Sequence, residues 1–295
     1  MGLFNRDIVT LNIEASEARL MVLRGKSITA WDGIALPPGA LRNGQVVQPQ
    51  VFGQALVELF AKAHASRRDS VIGLSGQRSL VRILNLPPVD PKLLDETVRR
   101  EARRELPLPL DELYLSWQVI GDQAASRTQV FILGVPRETL DTCMAGLRAA
   151  GVHPRAMDLK PLALARAVNL PDVLIADAEA TTQDVILVRE GTPIIVRSIA
   201  AQSGSSQTAR TPDDQADALA TEVQRTLDFF NSSMASTRPA WSPVVCLTGL
   251  LGDSDVMRQR LGARWTLAQP APPLPLPPDF PLLPYLANVG LALMH

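Results

Sequence analysis

The sequence predicts an α/β fold of two related lobes, with a smaller α/β module inserted into the first. Three observations carry that reading. Residues 11–31 and 176–196, 165 positions apart, share one pattern: Asn12 aligns with Asp177, Glu14-Ala15-Ser16 with Glu179-Ala180-Thr181, residues 20–23 with 185–188, and Arg24 with Arg189. A spacing this long excludes a solenoid, whose repeats run to roughly 50 residues. The chain's 295 residues exceed an average domain, and 46% apolar residues are enough for more than one core. Between the two copies lies a strongly charged helical block of different character.

The first copy reads as a strand over 8–13, a polar loop over 14–18, a strand over 20–23, a turn at Gly25 and a strand over 28–34; the second repeats this around Gly191. Leu36-Pro37-Pro38-Gly39 breaks the chain, and Phe52, Leu56, Leu59, Phe60 and Ala63 then recur at helical spacing across 50–65. Short strands are expected over 71–74 and 80–86. Asp90-Pro91 opens a charged helix to Glu105, with Leu94, Val98, Ala102 and Leu106 on one stripe and Asp95/Arg99 and Glu96/Arg100 as i,i+4 pairs. Pro107 and Pro109 end it. Strands over 114–120 and 129–135 follow, then a helix over 138–150 closed by Gly151. A helix over 160–168 leads into the second copy. Beyond that copy come a Ser/Thr/Gly-rich loop over 202–215, a helix over 216–234, a strand over 244–248 running into Gly249, and a final helix over 285–294. The connector 270–284 holds eight prolines, including a PxxP spacing at Pro275 and Pro278. The expected domains are therefore 1–78 with 156–172 as the first lobe, 79–155 as the module, and 173–295 as the second lobe.

Composition narrows the partners. With 29 basic and 30 acidic residues, no global field favours nucleic acid or an anionic membrane, so proteins or small ligands are expected instead. Cys143 and Cys246 form neither a CxxC nor a secreted disulfide pattern, which fits a reducing cytoplasm. No apolar run approaches the roughly 20 residues of a membrane span, and the first seven residues lack a signal-peptide core; membrane contact is expected only through a partner. His64, His153 and His295 stand far apart, so no metal site is expected. Gly73-Leu74-Ser75-Gly76 lacks one residue of a nucleophile elbow and reads as a turn. Arg99, Arg100, Arg103 and Arg104 are interleaved with Glu101 and Glu105, the pattern of a solvated helix face.

Paired hairpins facing across a cleft resemble the actin-like ATPase superfamily, in which a phosphate loop from each half approaches a nucleotide. Further pieces sharpen the likeness: the Met1-Gly2-Leu3-Phe4 start, Leu36-Pro37-Pro38-Gly39-Ala40 before Asn43-Gly44-Gln45-Val46-Val47, the run Glu105-Leu106-Pro107-Leu108-Pro109-Leu110-Asp111-Glu112, Gly151-Val152-His153-Pro154 before Asp158, Leu164-Ala165-Arg166-Ala167, and residues 222–230. In their order and spacing they resemble the PilM family of type IV pilus assembly, and more distantly FtsA. The resemblance implies an actin-like (ribonuclease H-like) duplicated two-lobe fold with an inserted module of the FtsA/PilM type. Onto the family's nucleotide site it maps Asn12, Glu14 and Ser16, then Asp177, Glu179, Thr181 and Thr182, with Glu222 and Arg225 toward the nucleoside and Gly249 and Gly252 in the following turn.

The departures from the family pattern bear on chemistry. Where the family's loops read Asp-Ile-Gly, this chain has Asn12-Ile13-Glu14 and Asp177-Ala178-Glu179. Glycine lets backbone N–H groups close on phosphate, and both loops have lost it. A unit charge about 4 Å from a phosphate charge costs on the order of 4 kcal/mol at an effective dielectric of 20, roughly a thousandfold in affinity. Asn12 also removes an acid that the family places near magnesium, and two leucines interrupt Thr248-Gly249-Leu250-Leu251-Gly252. ATP and magnesium are therefore disfavoured, and no catalytic residue is assigned.

The resemblance implies a non-enzymatic assembly protein beneath the inner membrane, capturing the cytoplasmic N-terminal peptide of a PilN-like bitopic protein and admitting a pilus motor ATPase as a further partner. The expected peptide groove is walled by Arg82, Ile83, Leu84 and Leu86 and by Leu106, Leu108, Leu110 and Leu113. The alternative is an actin-like ATPase that still binds and slowly hydrolyses ATP. A sugar kinase of the superfamily would need a catalytic Asp at a sugar cleft, and a type II secretion platform protein usually continues into a membrane helix.

Overall fold

A computed structural model describes residues 7–76, 79–120, 128–200, 211–234 and 241–294. By contacts the chain divides into one unit of residues 1–77 with 145–295 and a second of 78–144.

In the larger unit, β1 (Asp7–Ile13), β2 (Glu17–Arg24) and β3 (Ser27–Ala35) form an antiparallel meander. A small hairpin of β4 (Leu41–Arg42) and β5 (Gln45–Val46) leads to helix α1 (Pro49–Lys62), which ends where His64 turns to a positive φ of 49°. Strand β6 (Arg68–Leu74) then lies parallel to β1. The second meander is β11 (Val173–Ala178), β12 (Thr182–Arg189) and β13 (Thr192–Ala200), followed by α5 (Pro212–Met234) and the parallel strand β14 (Val245–Thr248). Helix α6 (Asp255–Gly262) and β15 (Leu267–Ala268) complete this sheet.

The two five-stranded sheets have the same topology. Their orders are β3-β2-β1-β6-β10 and β13-β12-β11-β14-β15, where β10 is His153–Leu159. The repeat extends to irregularities, because the register slips between Val22 and Leu23 in one meander and between Leu187 and Val188 in the other, positions that the sequence repeat aligns. Gly25 and Glu190, which the repeat aligns, take positive φ angles of 62° and 50° in the matching two-residue turns, and Gly191 after Glu190 takes 75°. This is the duplicated actin-like architecture.

Between the sheets lie α4 (Lys160–Val168) and α7 (Leu282–Ala292). Their apolar residues join one core that takes Met21, Leu23 and Ile28 from the first sheet and Ile175, Ile186 and Val188 from the second. The helices cross closely: a Cβ on Gly290 would overlap the carbonyl of Ala163. Asn288 of α7 donates to the carbonyls of Thr10 and Arg19 at 3.2 and 2.9 Å, fixing the helix to the first meander. A separate core behind the second sheet packs α5 and α6 through Leu219, Val223, Leu227, Met257 and Leu261.

The smaller unit contains β7 (Leu80–Leu86), α2 (Leu94–Glu105) after a short 3-10 turn, β8 (Leu113–Ile120), β9 (Thr128–Pro136) and the first part of α3 (Arg137–Ala149). Its antiparallel sheet has the order β7-β9-β8, with α2 on one face through Val98 and Ala102. Asp95 and Arg99 form the expected i,i+4 pair at 2.8 Å, whereas Arg100 lies beside Glu101.

Several elements differ from the sequence reading. Strand β10 was not foreseen: it is an edge strand in which Pro154 and two register shifts obscure alternation, and it joins the first sheet although the expected module ran to residue 155. Helix α5 starts at Pro212, inside the expected 202–215 loop, because Thr211 and Asp214 close a capping box: the Thr211 Oγ1 accepts from the Asp214 N–H at 3.2 Å and the Asp214 carboxylate from the Thr211 N–H at 3.1 Å. The part of that loop over 201–210 lies outside the described residues. The proline-rich connector packs onto the central core, with Leu274 against it and Phe280 buried edge-on to Trp31.

Candidate functional site

The ends of β1 and β11 meet the first turn of α4, and a cluster of buried charges fills the place where they converge. Each meander turns tightly. The Glu14 N–H donates to the Glu17 carbonyl at 2.9 Å, and the Glu179 N–H to the Thr182 carbonyl at 3.0 Å, so neither glutamate amide is directed at a ligand. The Lys160 ammonium, 1% exposed, donates to Glu14 Oε2 at 3.1 Å and to Asp177 Oδ2 at 2.9 Å, and pairs with Asp184 Oδ2 at 2.6 Å. Arg19 meets Glu179 with both prongs of its guanidinium, at 2.8 and 2.6 Å, a bidentate fit. It also donates to the Pro284 carbonyl at 2.7 Å and pairs with Glu17. Asn12 Nδ2 donates to Glu14 Oε1 at 2.7 Å, the Thr248 hydroxyl to Asp177 Oδ1 at 2.7 Å, and the Ser198 hydroxyl to Asp184.

Four buried carboxyl groups, Glu14, Asp177, Glu179 and Asp184, share two buried cations, Lys160 and Arg19. Burial opposes the Lys160 charge, but Asp177, Asp184 and Glu14 outweigh it and hold the ammonium well above its usual pKa. Arg19 is likewise held high by Glu179 against its own burial. Burial raises Glu14, and burial with the neighbouring Glu14 and Asp177 carboxylates pushes Glu179 up to about 8. Four carboxyl groups facing two cations leave an excess of acid, which together with burial raises both glutamates.

The cluster contains Asn12, Glu14, Asp177 and Glu179 from the candidate nucleotide-site residues. It also contains Lys160, Arg19 and Asp184, which the sequence reading did not single out. Their signal was present: Arg19 interrupts the apolar strand Ala18-Arg19-Leu20-Met21-Val22-Leu23, and Lys160 opens an otherwise apolar helix. Glu14 and Glu179 also behave differently from expectation. The sequence predicts bare charges facing a phosphate, whereas each carboxyl faces a cation of the chain itself, Lys160 for Glu14 and Arg19 for Glu179.

The other candidates lie around this cluster or apart from it. Thr182 is buried at the start of β12, Thr181 is half-buried, and Ser16 is an exposed turn residue whose carbonyl accepts from the Leu36 N–H at 2.8 Å. Glu222 pairs with Arg197 at 2.9 Å and with exposed Arg225 at 3.7 Å. Gly249 has φ +85° and lies so close to β11 that a Cβ would come within 2.6 Å of the Ala178 carbonyl. The turn's N–H groups serve the protein itself: Gly249 to Leu283, Leu251 to Ala178, and Gly252 to Gly249, with oxygens 2.9–3.2 Å away.

In the module, Leu84, Leu86, Leu106 and Leu113 are buried in its core with Val130 and Ile132, so they cannot wall a groove. Arg82 is exposed on the α2 face, Leu108 exposed and Leu110 half-buried. Only Ile83 points to the opposite face, where the pairs Val81/Leu133 and Ile83/Phe131 form a half-buried apolar strip. Alternation in β7 distinguishes these faces, and the expected wall had drawn on both.

The sequence profile of the type IV pilus assembly protein PilM matches residues 7–199. The chain belongs to the PilM family. This PilM-family chain resembles the solved PilM-PilN type IV pilus biogenesis complex, with a TM-score of 0.78 and 24% identity over 98% of each chain. It is also similar in fold to the cytoplasmic domain of EpsL, an inner-membrane component of the type II secretion system of Vibrio cholerae, with a TM-score of 0.57 and 13% identity over 97% of this chain and 95% of that one. The ethanolamine utilization protein EutJ from Carboxydothermus hydrogenoformans matches with a TM-score of 0.53 and 13% identity over 99% of this chain and 91% of that one. Among the described residues, no helix of this PilM-family chain is long and apolar enough to cross a membrane.

Proposed function

We propose that this chain is a non-enzymatic assembly protein of a type IV pilus platform, held at the inner membrane through a partner. The partner is a PilN-like bitopic protein, engaged through its cytoplasmic N-terminal peptide. The buried ion cluster carries the non-enzymatic part of the reading. A nucleotide triphosphate entering there would have to displace Lys160 and Arg19 from four carboxyl groups and supply anionic charge beside them. At an effective dielectric of 20 each like-charge contact near 4 Å costs on the order of 4 kcal/mol. The turn after β14 has no N–H to spare at Gly249, Leu251 or Gly252, and family membership supports the pilus role.

For the peptide, the module face opposite α2 is the better surface than the wall first expected. Val81, Ile83, Phe131 and Leu133 form two adjacent cross-strand pairs there, suited to apolar side chains of an extended segment. Calorimetry with a synthetic N-terminal cytoplasmic peptide of a PilN-like protein from the same organism should show saturable binding, weakened roughly tenfold or more by Phe131→Ser. No heat of binding to the wild type sinks the partner assignment. Thermal stabilisation by millimolar Mg-ATP would instead sink the non-enzymatic reading.

A further inference from the structure

The ion cluster joins the two meanders to one another. Arg19 leaves β2 and grips Glu179 at the end of β11, while Lys160 joins Glu14 of the first meander to Asp177 and Asp184 of the second. Each link is a direct side-chain contact, Arg19 from one sheet to the other and Lys160 from α4 to both.

The position of Lys160 is electrostatically adverse in isolation. It occupies the first position of α4, where the helix dipole is positive and unpaired N–H groups favour anions. The preceding Leu159 supplies no side-chain cap. An ammonium is stable there only because carboxylates approach from three elements: Glu14 after β1, Asp177 of β11 and Asp184 of β12, with Glu179 further out and Arg19 as the opposing cation. The apolar layer of α4 and α7 lies further along the helix, from Ala163 and Leu164 onward. That layer supplies non-directional adhesion between the sheets, and Lys160 supplies a directional tie at their ends.

We propose that Lys160 is a resident bridging cation that ties the ends of the two meanders together, so that their alignment requires neither nucleotide nor divalent metal ion. This rests on the same ion cluster as the non-enzymatic half of the proposed function and goes beyond it by giving Lys160 a bridging role, which the Lys160 variants test separately; it does not depend on the peptide surface.

Hydrogen exchange of the full chain, read by mass spectrometry over residues 8–14 and 174–184, tests the idea. In the wild type, millimolar Mg-ATP or EDTA should leave protection of these segments unchanged. Lys160→Ala should exchange roughly tenfold faster there, and millimolar ethylammonium, which returns an ammonium to the vacated space, should restore protection. Lys160→Met, which fills the space without charge, should stay fast with or without ethylammonium. A gain in wild-type protection on adding Mg-ATP overturns the proposal, as does wild-type protection in Lys160→Met. If Lys160→Ala does not fold, Lys160→Met carries the comparison with the wild type, and a gain in wild-type protection with Mg-ATP still overturns the proposal.

Discussion

Replacing Lys160 with Met keeps most of the side-chain volume and removes one charge, so its effect isolates the electrostatics of the cluster. The ammonium lies 2.6, 2.9 and 3.1 Å from Asp184, Asp177 and Glu14. At an effective dielectric of 20, one unit-charge pair near 3 Å is worth about 5 kcal/mol, offset by the desolvation that the ammonium no longer suffers. The loss has a ceiling, because a stranded carboxylate can take a proton. For a carboxyl with an ordinary pKa near 4, that costs about 4 kcal/mol at pH 7. The expected destabilisation at pH 7 is therefore about 3–5 kcal/mol, in the range of other broken buried pairs. Its pH dependence has a definite sign. Carboxyls stranded in the folded variant have pKa values above their unfolded ones, so proton binding stabilises that fold most at low pH and less as pH rises. At pH 5 the deficit should be smaller by about 2–3 kcal/mol. Urea unfolding of wild type and variant at both pH values measures it. A deficit below about 1 kcal/mol at pH 7, or one that is the same at pH 5, would refute the reasoning.

The wild type carries its own pH signature. Glu179 is pushed up to about 8 from an ordinary 4.5, so its contribution to stability is complete below 4.5 and is lost as pH rises through about 8; the melting temperature should fall between pH 5 and 8, and Glu179→Gln should flatten that fall. Gly290→Ala drives a methyl into the Ala163 carbonyl, where backbone cannot yield easily, and should cost about 3 kcal/mol in urea unfolding. Thr211→Ala removes the hydroxyl that accepts from the Asp214 N–H and should cost about 1 kcal/mol, with no effect on peptide affinity by calorimetry.

The repeat was legible because a meander with a buried face has a strict period, and a one-residue slip would turn its apolar set outward. Asn12/Asp177 and Glu14/Glu179 could therefore be aligned from residues alone, and the shared register slip at Val22 and Leu187 fits that alignment. Strand β10 and helix α6 were missed for the opposite reason. His153–Leu159 borrows its strand character from pairing with β6, and Asp255–Gly262 buries only Met257 and Leu261. The site was half legible. Local motif comparison reaches residues next to one another in sequence, but Lys160 and Arg19 acquire their meaning from carboxylates up to 160 positions away. A lysine opening an apolar helix was the available clue, and only the fold identifies its counter-ions.

The cluster also explains how the two meander ends keep their register with Glu14 and Glu179 in their loops. Buried ion pairs are weak sources of net stability, because desolvation consumes most of the Coulomb gain, but they are strict about geometry. An apolar contact tolerates a slide of an ångström or two at little cost, whereas the two-pronged contact of Arg19 with Glu179 does not. In this chain the two tasks are separated. The continuous core of Met21, Leu23, Ile175, Val188 and the α4 and α7 side chains makes the sheets adhere. Lys160 and Arg19 specify one alignment of the meander ends. With Glu14 and Glu179 as internal partners for those cations, both loops are tight turns closed by the Glu17 and Thr182 carbonyls.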